Sequence, residues 1–83
     1  MMNDQKEKKI GFVHTGVPIG MMIKELMAEH LPNVPLFHIV DDSLIQDLLK
    51  EEELTPSILQ RLCAQIVLAR DAGADTIMVT CSS

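Results

Sequence analysis

Cys81 is the most chemically capable residue of this chain, and hydroxyls surround it: Thr80 before it, Ser82 and Ser83 after it. A thiol reacts as its thiolate, and it ionises readily at neutral pH only beside a helix N-terminus, a cation or a set of N–H donors. The segment Gly73-Ala74-Asp75-Thr76-Ile77-Met78-Val79-Thr80-Cys81-Ser82-Ser83 suits such a place. Glycine closes a helix, mostly apolar residues run as a strand, and the cysteine emerges where that strand ends. In open parallel sheets, ligands bind just beyond the carboxyl ends of strands. A helix usually begins right after such a strand, and its free N–H groups bind carboxylate or phosphate. Cys81 is therefore expected to act as base or nucleophile, with Ser82 and Ser83 holding an anion. Thr15, after the first strand, would add a hydroxyl.

The other reactive side chains promise less. His14, at a strand end facing the loop, is the one histidine expected near the site; His30 and His38 read as packing or surface residues. Cys63 falls on the apolar face of a helix and reads as a small buried hydrophobe. Two cysteines so spaced fit no metal motif, and a disulfide is disfavoured in a reducing compartment. No metal and no cofactor is assigned. Gly16-Val17-Pro18-Ile19-Gly20 reads as a loop after the first strand. It lacks the Gly-Lys-Ser/Thr ending of a phosphate loop and the spacing of the dinucleotide fingerprint.

These residues need elements to position them. Residues 1–8 read as a flexible, charged lead-in, and residues 9–83 as a single α/β domain. Lys9–His14 is β-prone and ends at Thr15-Gly16. Met21–Leu31 carries Ile23, Leu26, Met27, His30 and Leu31 at helical spacing, until Pro32 stops it. Val34–Val40 is a second strand, which Pro35 pushes to a sheet edge or delays. Asp41-Asp42-Ser43 offers side-chain oxygens to cap a short helix from Leu44 to about Glu51. Thr55-Pro56 starts another, with threonine as cap and proline in the first turn. Its broad apolar face holds Ile58, Leu59, Leu62, Cys63, Ile66, Val67 and Ala69, and it ends at Gly73. Strands alternating with helices call for a parallel sheet joined by right-handed crossovers. The expected strand order is 2-1-3, which brings the Thr15–Gly20 loop and the Thr80–Ser83 segment together at the switch point between strands 1 and 3.

Composition narrows the function. The net charge of −5 and the absence of a basic stripe argue against nucleic acid as a partner. No apolar run approaches the ~18 residues of a membrane span, and the polar start lacks the apolar core of a signal peptide. A cytoplasmic location follows. With two phenylalanines and no other aromatic residue but six methionines, packing must rest on aliphatic side chains.

Thr76-Ile77-Met78-Val79 shows no polar alternation, the pattern of a strand covered on both faces. Nothing in the sequence beyond it would cover it, and native proteins avoid a long apolar edge. The chain is therefore expected to be half of something. It would be either a truncated lobe lacking its second lobe, or a subunit that forms a homo-oligomer along residues 76–80.

Lys9–His14 with Thr15-Gly16, the Asp41-Asp42-Ser43-Leu44 turn, and above all Gly73–Ser83 resemble the N-terminal half of the aspartate/glutamate/hydantoin racemase family. The likeness spans nearly all of residues 8–83. It implies a flavodoxin-like half of a two-lobed racemase fold, with the active site between the lobes. It also implies a cofactor-independent racemase or isomerase in which a cysteine thiolate from each lobe works at the carbon next to a carboxylate. Carried onto this chain, Cys81 matches the first-lobe catalytic cysteine. Thr80, Ser82 and Ser83 match the surroundings of a small carboxylate substrate, and Thr15 the loop after the first strand. The commonest amino-acid racemases of the family have asparagine and threonine where Ser82-Ser83 stand, and this chain has no second-lobe cysteine. The alternative is a non-catalytic half-domain that binds a small carboxylate or anion, or dimerises.

Overall fold

The computed structural model describes residues 8–80. Three strands and three helices follow in the order β1 (Ile10–His14), α1 (Val17–His30), β2 (Leu36–Val40), α2 (Asp42–Glu51), α3 (Pro56–Asp71) and β3 (Thr76–Thr80). The strands form one parallel sheet in the order β2-β1-β3. Pro35 lies just ahead of β2, where its missing N–H removes nothing from the ladder, and β2 is an edge strand.

Side chains alternate along a strand, so the sheet has two distinct faces. On one, Gly20 of α1 lies against His14 and Val40. On the other, Val79 joins Leu44 and Leu48 of α2 and Ile58 and Leu62 of α3 around a common cavity. The buried apolar core is small: Phe12, Val13, Leu44, Ile58 and Ala69.

Helix α1 begins at Val17, so Val17–Gly20 are its first turn and not part of a loop. Proline suits that turn, because its fixed φ is helical and an N–H there would have no partner inside the helix. Gly16 supplies no side-chain cap; instead Asp42 Oδ1, from α2, accepts the Val17 N–H at 3.3 Å. The other two helix starts follow the sequence. The Asp41 side chain accepts from Ser43 N, and Thr55 Oγ1 accepts from Ile58 N. Gly73 takes a φ of +106°, the region in which a side chain would be strained, directly after α3.

Apolar faces are broader than the surfaces they cover. In α1 and its C-cap, Ile23 and Met27 are half-buried while Leu26, His30 and Leu31 are exposed, because the helix packs chiefly on β1 and the edge strand β2. In α3, Ile58, Leu62, Ile66 and Ala69 form the covered line, and Leu59, Cys63 and Val67 lie on an open flank. Cys63 is thus an exposed free thiol rather than a buried hydrophobe. Apolar spacing marked a helix face but not how much of it the sheet could cover. Among the described residues β3 pairs only with β1, and Met78 and Val79 are 50% and 44% exposed.

Candidate functional site

The carboxyl ends of β1 and β3 meet side by side, with His14 in register with Thr80. Thr15 fastens them. Its backbone N–H donates to the Thr80 carbonyl at 3.3 Å, and its hydroxyl donates to the same oxygen at 3.2 Å. Thr15 is buried, and its own carbonyl accepts the Ile45 N–H from α2. Its hydroxyl hydrogen is therefore committed to the backbone, so Thr15 shapes the strand end more than it offers a donor to a ligand. Thr80 is half-buried, and its hydroxyl turns to the α1 face. The switch point expected from the strand order is present, and it brings Thr15 and Thr80 together. Cys81, Ser82 and Ser83 lie outside the described residues, as do residues 1–7 of the lead-in.

Spacing alone did not reveal what stands behind Thr80. His14 is fully buried, with Nδ1 2.6 Å from Thr80 Oγ1 and Nε2 2.8 Å from His38 Nδ1. The row crosses all three strands, from β3 through β1 to β2. Phe12 stacks on both imidazoles, with centroids 5.7 Å and 5.1 Å away. Burial holds the pKa of each histidine below its ordinary value. The charge of His38 adds to the effect at His14, and the charge of Lys24 adds to it at His38. Both rings are therefore neutral at pH 7. His38 is a partner in this row, not packing alone; the observed register sets Phe12 opposite His38, which puts His38 on the same face as His14, and the sequence reading set no such register. His30 is exposed on α1 and takes no part.

The cavities divide by character. One of about 250 Å³ lies between α2, α3 and β3, and among the described residues Thr15 is its one polar lining residue beside Leu44, Leu48, Ile58, Leu62 and Val79. A carboxylate there would lose its hydration without a charged partner. Two others, of about 440 and 340 Å³, lie along the groove between α1 and β2, and both include Lys24 and His38. The start of α1, which could hold a foreign anion, already receives the chain's own Asp42. Among the described residues no group of three or more His, Cys, Asp or Glu is arranged to hold a metal ion. No helix among them is long and apolar enough to cross a membrane.

This is an α/β unit with a parallel three-stranded sheet and a polar switch point backed by an imidazole pair. No family model matches the chain, and neither curated proteins nor solved structures give a significant match.

Proposed function

We propose that this chain is the N-terminal lobe of a cofactor-independent racemase or isomerase, in which the Cys81 thiolate removes or returns a proton at the carbon next to a carboxylate. The observation that carries the reading is the pairing of Thr15 with Thr80 at the β1–β3 switch point. Cys81 follows Thr80 directly, so its own amide belongs to the peptide whose carbonyl Thr15 holds. A proton on such a carbon is weakly acidic, and its removal needs a positioned base and stabilisation of the enolate-like charge. Ser82 and Ser83 would hold the carboxylate, and Thr80 would border it. A second lobe would supply the opposing thiol, because inversion is simplest with one base on each face. One thiol alone suffices for exchange without inversion.

The test is incorporation of solvent deuterium at the α-carbon of small chiral carboxylic acids. Exchange is expected with the chain and is expected to fall at least ~100-fold in Cys81→Ala, the scale of a lost general base. Equal exchange in both proteins would overturn the role of the cysteine.

A second reading, a half-domain that dimerises through β3, is favoured by the exposure of Met78 and Val79 on a strand that, among the described residues, pairs on one edge only. It predicts self-association at micromolar concentration in sedimentation, and a monomer there would count against it.

A further inference from the structure

His14 and His38 are buried titratable groups that the chemistry proposed for Cys81 leaves unused. They form a continuous row with Thr80, at 2.6 Å and 2.8 Å, and the far end of the row, His38 Nε2, is buried without a partner among the described residues. Buried polar atoms are almost always paired, so an orphan at the end of a hydrogen-bonded row calls for a reason. The helix above is shaped to admit the row, since a Cβ at Gly20 would come within 3.2 Å of the His14 ring.

Each link in the row holds one hydrogen, and two arrangements satisfy both links. In the first, the Thr80 hydroxyl donates to His14 Nδ1, His14 Nε2–H donates to His38 Nδ1, and His38 Nε2 carries a hydrogen. In the second, His38 Nδ1–H donates to His14 Nε2, and His14 Nδ1–H donates to Thr80 Oγ1. His38 Nε2 is then bare, and the Thr80 hydroxyl hydrogen points away from the row. Passing from first to second moves one hydrogen along each link. One proton enters at the Thr80 oxygen from the group that reacts beside it, and one leaves at His38 Nε2 to a water admitted from the α1–β2 groove, which becomes hydronium; only N–H and O–H bonds form or break. The exit residue lines the two cavities of the α1–β2 groove.

We infer that Thr80, His14 and His38 are a proton relay joining the carboxyl end of β3 to the groove between α1 and β2. This rests on the reading of the β3 end as a proton-transfer site. The electrostatics favour two-way traffic, because two neutral rings of lowered basicity do not trap the proton they pass. Lys24 of α1 is the cation acting on His38, and His38 is the group acting on His14; Thr80 of β3 and Phe12 of β1 carry no charge. His14 and His38 are positioning residues in this account, since neither needs to touch a substrate.

The test is 15N NMR of the imidazole nitrogens from about pH 4 to pH 8, the span over which histidine titrates, in the wild-type chain, Thr80→Val and Thr80→Ser. The two rings are expected to titrate together. Thr80→Val removes the acceptor for a protonated His14 Nδ1–H and is expected to lower the midpoint at both rings by about one pH unit. Thr80→Ser is expected to restore it. A His38 ring that ignores Thr80→Val, or titrates independently of His14, would overturn the relay. Should Thr80→Val not fold, the wild type decides. A scalar coupling across the His14 Nε2–His38 Nδ1 hydrogen bond is expected, and its absence overturns the relay. The Cys81 reading fails separately. Wild type without α-carbon exchange overturns that reading, while uncoupled rings with exchange intact overturn the relay alone.

Discussion

The two faces of the sheet solve the same packing problem with different chemistry. Toward α2 and α3, the buried Val13 shares its face of the sheet with an aliphatic set that includes Leu44 and Ile58, and among the described residues the cavity there has Thr15 as its one polar lining residue. Toward α1, the space beneath Gly20 is filled by imidazole, and His14 is as completely buried as Val13. An apolar ring would fill that volume without any need for partners. Keeping imidazoles there demands hydrogen bonds on both sides of His14 and leaves His38 Nε2 without a partner among the described residues. One face is therefore built for cohesion, while the other carries polar groups that cohesion alone does not require.

The largest expected effect breaks the cohesive face. Leu44→Ala removes a fully buried side chain from a small core and is expected to cost about 2–5 kcal/mol. Folded domains hold only about 5–15 kcal/mol in all, and one this small sits at the low end. Urea unfolding should show a greatly lowered midpoint or no cooperative transition. On the polar face, His38→Phe leaves His14 Nε2 buried and unpaired, at an expected cost of about 1–3 kcal/mol. The double replacement His14→Leu/His38→Phe removes both partners and is expected to cost less than the two single losses added. Additive losses in that double-mutant cycle would mean that the two rings do not act as a unit.

The contrast sharpens with pH. A histidine whose folded pKa lies below its unfolded value binds more protons when unfolded. Its contribution to stability is thus complete above the unfolded pKa of about 6.5 and declines as pH falls toward the folded value. Both His14 and His38 have lowered values. Stability of the wild type should fall on acidification below about pH 6.5, by at most about 1.4 kcal/mol per pH unit for each group. The double replacement should flatten that part of the curve, whereas Leu44→Ala should shift it without changing its slope. A wild-type profile flat between about pH 6.5 and pH 5 would break the comparison.

The sequence made the strand order legible because Pro35 and the alternation of elements each constrain it, and both act locally. It also made the pairing of Thr15 with Thr80 legible, since order 2-1-3 leaves those two strand ends adjacent. The imidazole row was harder. His14 and His38 are 24 positions apart, and only the register of β1 on β2, with Phe12 opposite His38, puts their rings within reach. Periodicity reports which side a residue faces, not what sits across from it. The same limit explains Cys63. Its place on an apolar helix face was correct, but exposure depends on how far the sheet extends beneath α3, which no local pattern encodes. Likewise the first turn of α1 hid in a stretch rich in glycine and proline, because its cap comes from Asp42, 25 positions away.

The smallest effect on stability, and the sharpest on association, is expected at β3. Met78 lies on the same side of its strand as His14 lies on β1, yet it is half exposed where His14 is sealed. The difference is coverage: α1 packs chiefly on β1 and β2, and this side of β3 is left half open. Replacing Met78 by lysine adds no buried charge to the isolated chain, so Met78→Lys is expected to change its stability by no more than about 0.5 kcal/mol. If β3 pairs with a second copy or another lobe, the lysine must lose water at the contact, and a charge on an exposed strand edge is a standard obstacle to such pairing. Sedimentation of wild type and variant at matched concentration separates the two cases. A dissociated variant of unchanged stability would make the open side of β3 an interface. Unchanged association would move the contact elsewhere, with the uncovered Leu59–Cys63–Val67 flank of α3 the next surface to alter.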